Sequence, residues 1–277
     1  MTAFLARRQQ FGLVPSTNDV VRDWLADGTP EVCLAIADEQ SAGRGRADRT
    51  WVAPRGSALL LSLGFRPVWL DPEHAWRLVA IAALAMADAA EMAAGLPDGA
   101  IRLKWPNDLV VEPDGPGSTD PPQTRVRKLA GLLGETDGLG TGDPRVIVGL
   151  GINADWAASD FPRELAGAMT SLRETSGGRP IATAALLDAF VERLEPRVGA
   201  LRHGEFDVAT WQGRQLTTGR LIRLELATGS ETVRAIGVDT NTGALLVEDL
   251  SAPTGQRSVI VGEISHVRLA APAGAVV

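Results

Sequence analysis

Apolar positions recur along this chain in three rhythms, and each predicts a different kind of element. After Ser16, a capping residue, Val20, Val21, Trp24 and Leu25 share one face at helical spacing, and Gly28 supplies a stop. Asp71-Pro72 opens a long alanine-rich helix to about residue 93, closed by Gly95 and Pro97. A further amphipathic helix is predicted from Pro180 to about Arg202, with a shorter one reaching Trp211. The second rhythm is continuous: "EVCLAIADE" (31–39) and "SALLLSLGF" (57–65) read as strands buried on both faces. "IRLKWPNDLVVE" (101–112), "KLAGLLGET" (128–136) and "RVIVGLGIN" (145–153) are three more strand-like runs. Residues 112–127, rich in proline, glycine and aspartate, read as a surface loop. After Gly213 short β-rich runs alternate with Thr-Gly and Asn-Thr-Gly turns, which predicts a small barrel of four or five strands. The expectation is an α+β protein, a mixed β-sheet with flanking helices over 1–213 and a small β-barrel over 214–277.

Composition narrows the function classes. The chain has 277 residues and a net charge of -7, which argues against bulk nucleic-acid binding but not against a local anion site. No run of about 18 uninterrupted apolar residues occurs and the start lacks a signal-peptide core, so a cytoplasmic protein without membrane contact is expected. The single cysteine, Cys33, lies in an apolar run and reads as a buried strand residue. His74, His203 and His266 have neither metal-ligand spacing nor a serine partner arrangement. Of 27 basic residues, only Lys104 and Lys128 are lysines. A chain that uses arginine almost everywhere marks these two positions as places where a compact ammonium serves and a wide guanidinium does not.

Chemistry gathers in four short segments. "EQSAGRGRADRTW" (39–51) sets Arg44, Arg46 and Arg49 among glycines and ends on Trp51. Glycines let backbone N–H groups approach an anion, and arginine forks match phosphate or carboxylate oxygens. A solvated turn or a DNA minor-groove arm would use the same residues. "KWPNDL" (104–109) groups Lys104, Asn107 and Asp108 around a Trp-Pro turn; Asn107 can bond a ligand and Asp108 can hold a ribose or magnesium-bound oxygen, or the pair makes an Asx turn. "KLAGLLGE" brings Lys128 beside Ala130 and Gly131, and "VGLGIN" leaves Gly149 and Gly151 bare before Asn153. Glycines inside a strand mark either close approach by a ligand or a bulge.

In this order, "STN" at 16–18, "EQSAGRGRADRTW", "KWPNDL", "KLAGLLGE", "VGLGIN" and the late "GALLVED…GEIS" make the chain resemble the biotin–protein ligases. The resemblance spans nearly the whole chain. It implies a catalytic core related to class II aminoacyl-tRNA synthetases followed by an SH3-like barrel. It also implies an ATP- and Mg2+-dependent activation of biotin to biotinyl-AMP, then transfer to a lysine of a biotin carboxyl carrier domain. Carried over motif by motif, Ser16, Thr17, Asn18, Gln40, Gly43, Gly131, Leu132, Gly149 and Gly151 would surround biotin. Lys128, Arg44 and Arg46 would be catalytic, with Arg44 and Lys128 also on biotin. Arg46, Arg49, Trp51, Lys104, Asn107, Asp108 and Asn153 would lie on the ATP side, with Trp51 against adenine.

Three departures accompany the resemblance. Asp48 stands where the family has glycine, bringing a negative charge to the arginine loop, although aspartate tolerates a left-handed backbone. More than a dozen residues separate "KWPND" from "KLAG", where the family has a short turn. Fifteen residues precede Ser16, too few for the winged helix of repressor-type relatives, so no DNA-binding role is expected. A lipoate or octanoyl enzyme on the same scaffold, and a biotin-binding sensor without turnover, are the competing readings. The oligomeric state and the identity of the acceptor carboxylase are not set by sequence.

Overall fold

The computed structural model describes residues 4–47, 49–112, 126–226, 229–261 and 264–270. Asp48, most of the 112–127 loop and part of the "GEIS" segment lie outside them. A seven-stranded sheet has the order β1-β2-β3-β7-β6-β5-β4. Its strands are β1 (Arg7–Phe11), β2 (Cys33–Ala37), β3 (Ala58–Phe65), β4 (Arg102–Lys104), β5 (Asp108–Val111), β6 (Arg127–Asp137) and β7 (Arg145–Asn153). Only β1 and β2 pair in parallel, so the sheet is mixed. The continuous apolar runs became its interior: every residue of β2 and β3 is buried.

One helix lies on one face of this sheet and two on the other. α1 (Thr17–Ala26) is capped by the Ser16 hydroxyl and buries Val21, Trp24 and Leu25. Its cluster includes Cys33, Ala35 and Ile147 from β2 and β7. α2 (Trp76–Ala94) covers the opposite face with small residues, Ala80 to Ala90, that let the helix lie close to the strands. It ends at Gly95, whose φ of 62° is the left-handed conformation a C-terminal cap requires. The helix expected from Asp71-Pro72 begins later, because residues 72–74 form a separate 3₁₀ turn. After the short helix α3 (Leu172–Thr175), α4 (Thr183–Arg202) packs on α2, and α5 (Val208–Gly213) follows.

The last strands, β8 (Leu221–Leu226), β9 (Gly229–Val238), β10 (Leu245–Glu248), β11 (Gln256–Val259) and β12 (Ile264–Leu269), form an antiparallel sheet in the order β11-β10-β9-β8-β12. One apolar core runs without a break from α2 and the large sheet into this one, through Ile222, Leu224, Leu245 and Val267. The junction is polar and specific. Arg214 donates to Glu91 at 2.7 Å and Asp88 at 2.6 Å, and to the Ile101 carbonyl at 2.8 Å. Leu103 pairs with Gln215, which lays the β4 edge against the start of the C-terminal segment. Among the described residues no helix is long and apolar enough to cross a membrane.

Candidate active site

The glycines of β6 and β7 lie side by side, since Gly131 pairs with Gly151 in the sheet register. With no Cβ on either, the strands present a bare floor, and the indole of Trp51 lies on it. A Cβ on Gly151 would sit 2.6 Å from Trp51 Cε2, and one on Gly131 3.2 Å from Trp51 Cζ3. A Cβ on Gly149 would meet Asn18 Oδ1 at 2.3 Å. The bare strand face expected to admit a ligand is thus occupied by two side chains of the chain itself. The chamber above it holds about 110 Å³.

Around this floor stand all the residues singled out from the sequence except two. Gly43 lies back in the arginine loop, where its carbonyl accepts from Trp51 N–H at 3.0 Å and a Cβ would collide with the Trp51 carbonyl. Asn153 is fully buried at the end of β7 and gives its amide to the Thr170 carbonyl at 3.0 Å, away from the chamber.

One wall is an amide and hydroxyl network set by the start of α1. Gln40 Oε1 accepts from Thr17 N at 2.7 Å and from Thr17 Oγ1 at 3.1 Å. Ser62 Oγ lies 2.7 Å from Thr17 Oγ1 and 2.6 Å from Asn18 Oδ1. With its oxygen engaged, Asn18 keeps its Nδ2 group buried and without a hydrogen-bond partner. That atom is a donor waiting for an acceptor. Ser62 escaped the sequence reading, although a lone polar residue inside the apolar run "ALLLSLGF" was the available sign.

The opposite wall carries charge. Lys128 Nζ lies 2.7 Å from Asp108 Oδ1, and Lys104 Nζ lies 3.8 Å from Asp108 Oδ2. Lys104 and Asp108 face each other as a register pair of the β4–β5 hairpin, which places both on one side. Burial alone would raise the Asp108 carboxyl, but Lys128 and Lys104 outweigh it and hold the group below its ordinary range. Burial also depresses the Lys104 ammonium, with Asp108 opposing that shift and Lys128 adding to it. Asn107 is less available than expected: its Nδ2 donates to the Leu132 carbonyl at 2.6 Å while its own carbonyl accepts from Leu132 N at 2.9 Å. It fastens the hairpin to β6, and the Leu132 side chain belongs to the core.

The arginine loop folds as a small hairpin over the chamber, with Arg44 bridged to Thr50 and Gly45 N–H bonded to the Arg49 carbonyl at 2.6 Å. Within this loop Ala47 has a left-handed backbone, at φ 52°, next to Asp48. Arg44 grips Asp19 with two bonds of 2.8 and 2.9 Å and Glu135 with one of 3.2 Å. Arg22 holds the same two carboxylates. The Arg44 bonds pull the Asp19 carboxyl below its ordinary value. Arg46 reaches the Val261 carbonyl at 2.8 Å, and Val267 of β12 lines the chamber, so the C-terminal segment closes one side. No feature of the sequence alone announced Asp19, Glu135 or Val267 as neighbours of the site.

Beyond Trp51 and Lys128 a second, wider chamber of about 370 Å³ opens. Arg49, Lys104, Asp108 and Arg268 give it charge, and Val110, Leu165 and Met169 give it apolar walls. Lys128, Trp51 and Asp108 border both spaces. Among the described residues no group of three His, Cys, Asp or Glu side chains could hold a metal ion, and Asp108 is already neutralised by two ammonium groups. These residues do not fit a protein-held magnesium ion.

The glycine-floored chamber with its polar amide wall and the second, cationic space thus share Lys128, Trp51 and Asp108. A family model described as "Biotin/lipoate A/B protein ligase family" matches residues 11–153, and the chain belongs to that family. The chain is 30% identical over 268 residues to a biotin--[acetyl-CoA-carboxylase] ligase of Mycobacterium tuberculosis, covering 94% of this chain and 90% of that one. It is also 30% identical over 238 residues to the bifunctional ligase/repressor BirA of Bacillus spizizenii, covering 85% of this chain and 67% of the relative. In fold it is similar to the biotin protein ligase of Aquifex aeolicus solved with biotin and ATP, with a TM-score of 0.73 at 23% identity over 95% of this chain and 99% of that one.

Proposed function

We propose that this chain is an ATP-dependent biotin–protein ligase, which activates biotin as biotinyl-5'-AMP and passes it to a lysine of a biotin carboxyl carrier domain. The observation that carries this reading is Lys128, pinned by Asp108 at the boundary between two chambers of different chemistry. The smaller one offers the unpaired Asn18 amide to a ureido carbonyl and a bare strand face to a fused ring. The larger one offers cations and apolar surface to a nucleotide. Trp51 lies across the bare strands, so a fused ring seated there would have to displace its indole.

In the first step a biotin carboxylate oxygen attacks the α-phosphorus of ATP. The O–P bond forms, the bond to the β-phosphate breaks, and pyrophosphate departs with the electrons. Two anions must meet, so an ammonium fixed between them stabilises the transition state more than either ground state. Asp108 stays ionised and serves as the anchor that aims Lys128. In the second step the acceptor amine forms a C–N bond to the biotinyl carbonyl while the C–O bond to AMP breaks and the amine gives up a proton. Arg46 and the loop around it keep water from the anhydride. Magnesium would arrive with the ATP phosphates. In this reading residues 1–213 form a core related to class II synthetases and 214–277 an SH3-like barrel.

The test is incubation with ATP, magnesium, biotin and a carrier domain, followed by mass spectrometry and a pyrophosphate assay. A biotin mass increment and biotin-dependent pyrophosphate release are expected. Release with lipoate alone would favour the lipoate enzymes of the family, and biotin binding without release would leave a sensor.

A further inference from the structure

Another cavity, of about 330 Å³, meets the smaller chamber at Arg46, Lys104, Asn107 and Asp108 and extends onto the helix-covered side of the sheet. Gly131 faces Trp51, whereas Gly134, an odd number of positions along β6, faces Val79 of α2. The cavity lies on that helix-covered side, walled by Trp76, Trp105 and Trp211 with Ala80 and Ala83 of α2 making room. Trp76 and Trp105 have given their indole N–H groups to the Asn241 and Gly243 carbonyls, both at 3.0 Å, so they offer the space mainly ring surface.

Gln215 differs from its neighbours. It is only 6% exposed, and its backbone is held by pairing with Leu103 and by a 3.0 Å bond to the Gln212 carbonyl. Its side chain borders the cavity, and its Oε1 is buried with no hydrogen-bond partner. A buried acceptor left unpaired is destabilising, and the Trp76 and Trp105 rings, whose N–H groups are already given, supply it no donor.

Charge limits what can supply one. Asp108 at the rim is taken by Lys128 and Lys104, so a cation finds no free counter-charge there. Of the cations that line it, Lys104 lies against Asp108 and Arg46 reaches the Val261 carbonyl, and a carboxylate at the tryptophan end would meet the lone pairs of Gln215 Oε1. We infer that this cavity binds a neutral, mainly aromatic small molecule carrying one N–H or O–H donor, its ring among the tryptophans and its donor on Gln215 Oε1. The cavity shares Arg46, Lys104, Asn107 and Asp108 with the smaller chamber at its rim, while its tryptophan-walled end lies on the α2 side, and the inference does not depend on the ligase assignment. Its occupant touches α2 at Ala83, the β4–β5 hairpin at Trp105 and the C-terminal segment at Gly243, and so ties three parts of the chain together.

The probes are indole and 1-methylindole, which differ in the donor and little else, titrated into the full chain by calorimetry and thermal shift. Indole is expected to bind saturably and to raise the melting temperature with concentration. Loss of the donor in 1-methylindole, or of the acceptor in Gln215→Leu, is expected to weaken binding roughly 3- to 10-fold, the range of one neutral hydrogen bond. Ala83→Phe fills the cavity and should abolish binding of both probes, while saturating biotin should displace neither. Equal affinity for the two probes on the unaltered chain overturns the assignment whether or not the variants fold. Binding that survives in Ala83→Phe, displacement by biotin, or no saturable binding of indole, which would leave Gln215 to solvent, overturns it too.

Discussion

Arg44, Arg22, Asp19 and Glu135 meet at the rim of the smaller chamber, where water reaches them; Lys128, Lys104 and Asp108 meet inside it, where the Lys104 and Asp108 side chains are better shielded and Lys128 stays half-buried. The Asp19 side chain keeps 38% of its exposure and the Asp108 side chain 15%. Exposed ion pairs are worth little and exchange readily, because solvent and salt replace them. Buried pairs are poor net stabilisers, yet removing one partner strands a charge at high cost. The rim can therefore release Arg44 to an incoming anion. The inner triad cannot rearrange so easily, and it keeps an ammonium at a fixed point.

The sharpest way to break this contrast is Lys128→Ala. Biotin-dependent pyrophosphate release should fall on the order of 10³-fold, as when a positioned transition-state donor is lost. Near-normal rates, with unchanged circular dichroism, would remove Lys128 from the chemistry. Asp108→Asn should cost about 3 kcal/mol in urea unfolding by leaving two ammonium groups without a counter-ion. Adding Lys104→Met to that variant should recover part of the loss, and a variant as stable as the parent would mean that the inner triad is not held by its charges. Gly151→Ala, which places a methyl against Trp51, should cost about 1–3 kcal/mol and shift tryptophan emission as the indole is lifted. An unchanged spectrum would contradict the packing of Trp51 on the floor.

Glu135→Gln should matter least, under about 1 kcal/mol, and less still at high salt. The same rim sets an acid dependence. The Asp19 carboxyl lies below its ordinary value of 3.8 in the folded chain, chiefly through Arg44. Its contribution to stability is therefore complete above that value and disappears as pH falls through the folded pKa. Arg44→Gln should flatten this part of an acid titration followed by fluorescence.

Much of this arrangement was legible from residue types. Two lysines in an arginine-rich chain turned out to share one carboxylate, and continuous apolar runs became the central strands. β1 was missed because "RRQQF" at a sheet edge has neither apolar alternation nor a turn signature. The glycines announced close approach correctly, but sequence does not say whether a ligand or a neighbouring side chain makes it; here Trp51 and Asn18 do. Asn107 and Asn153 give their amide nitrogens to the backbone carbonyls of residues 132 and 170, contacts that neither motif announces. Such choices depend on which strands become neighbours, which local patterns do not encode.

Arg46 is tethered at position 261 through a main-chain oxygen, not a side chain. The clasp between the arginine segment and the far end of the polypeptide is therefore indifferent to which amino acid stands at 261. Random exchange there should leave the grip intact, whereas lengthening or shortening the connection by one residue should loosen it, so this contact would be inherited as a distance and not as a letter.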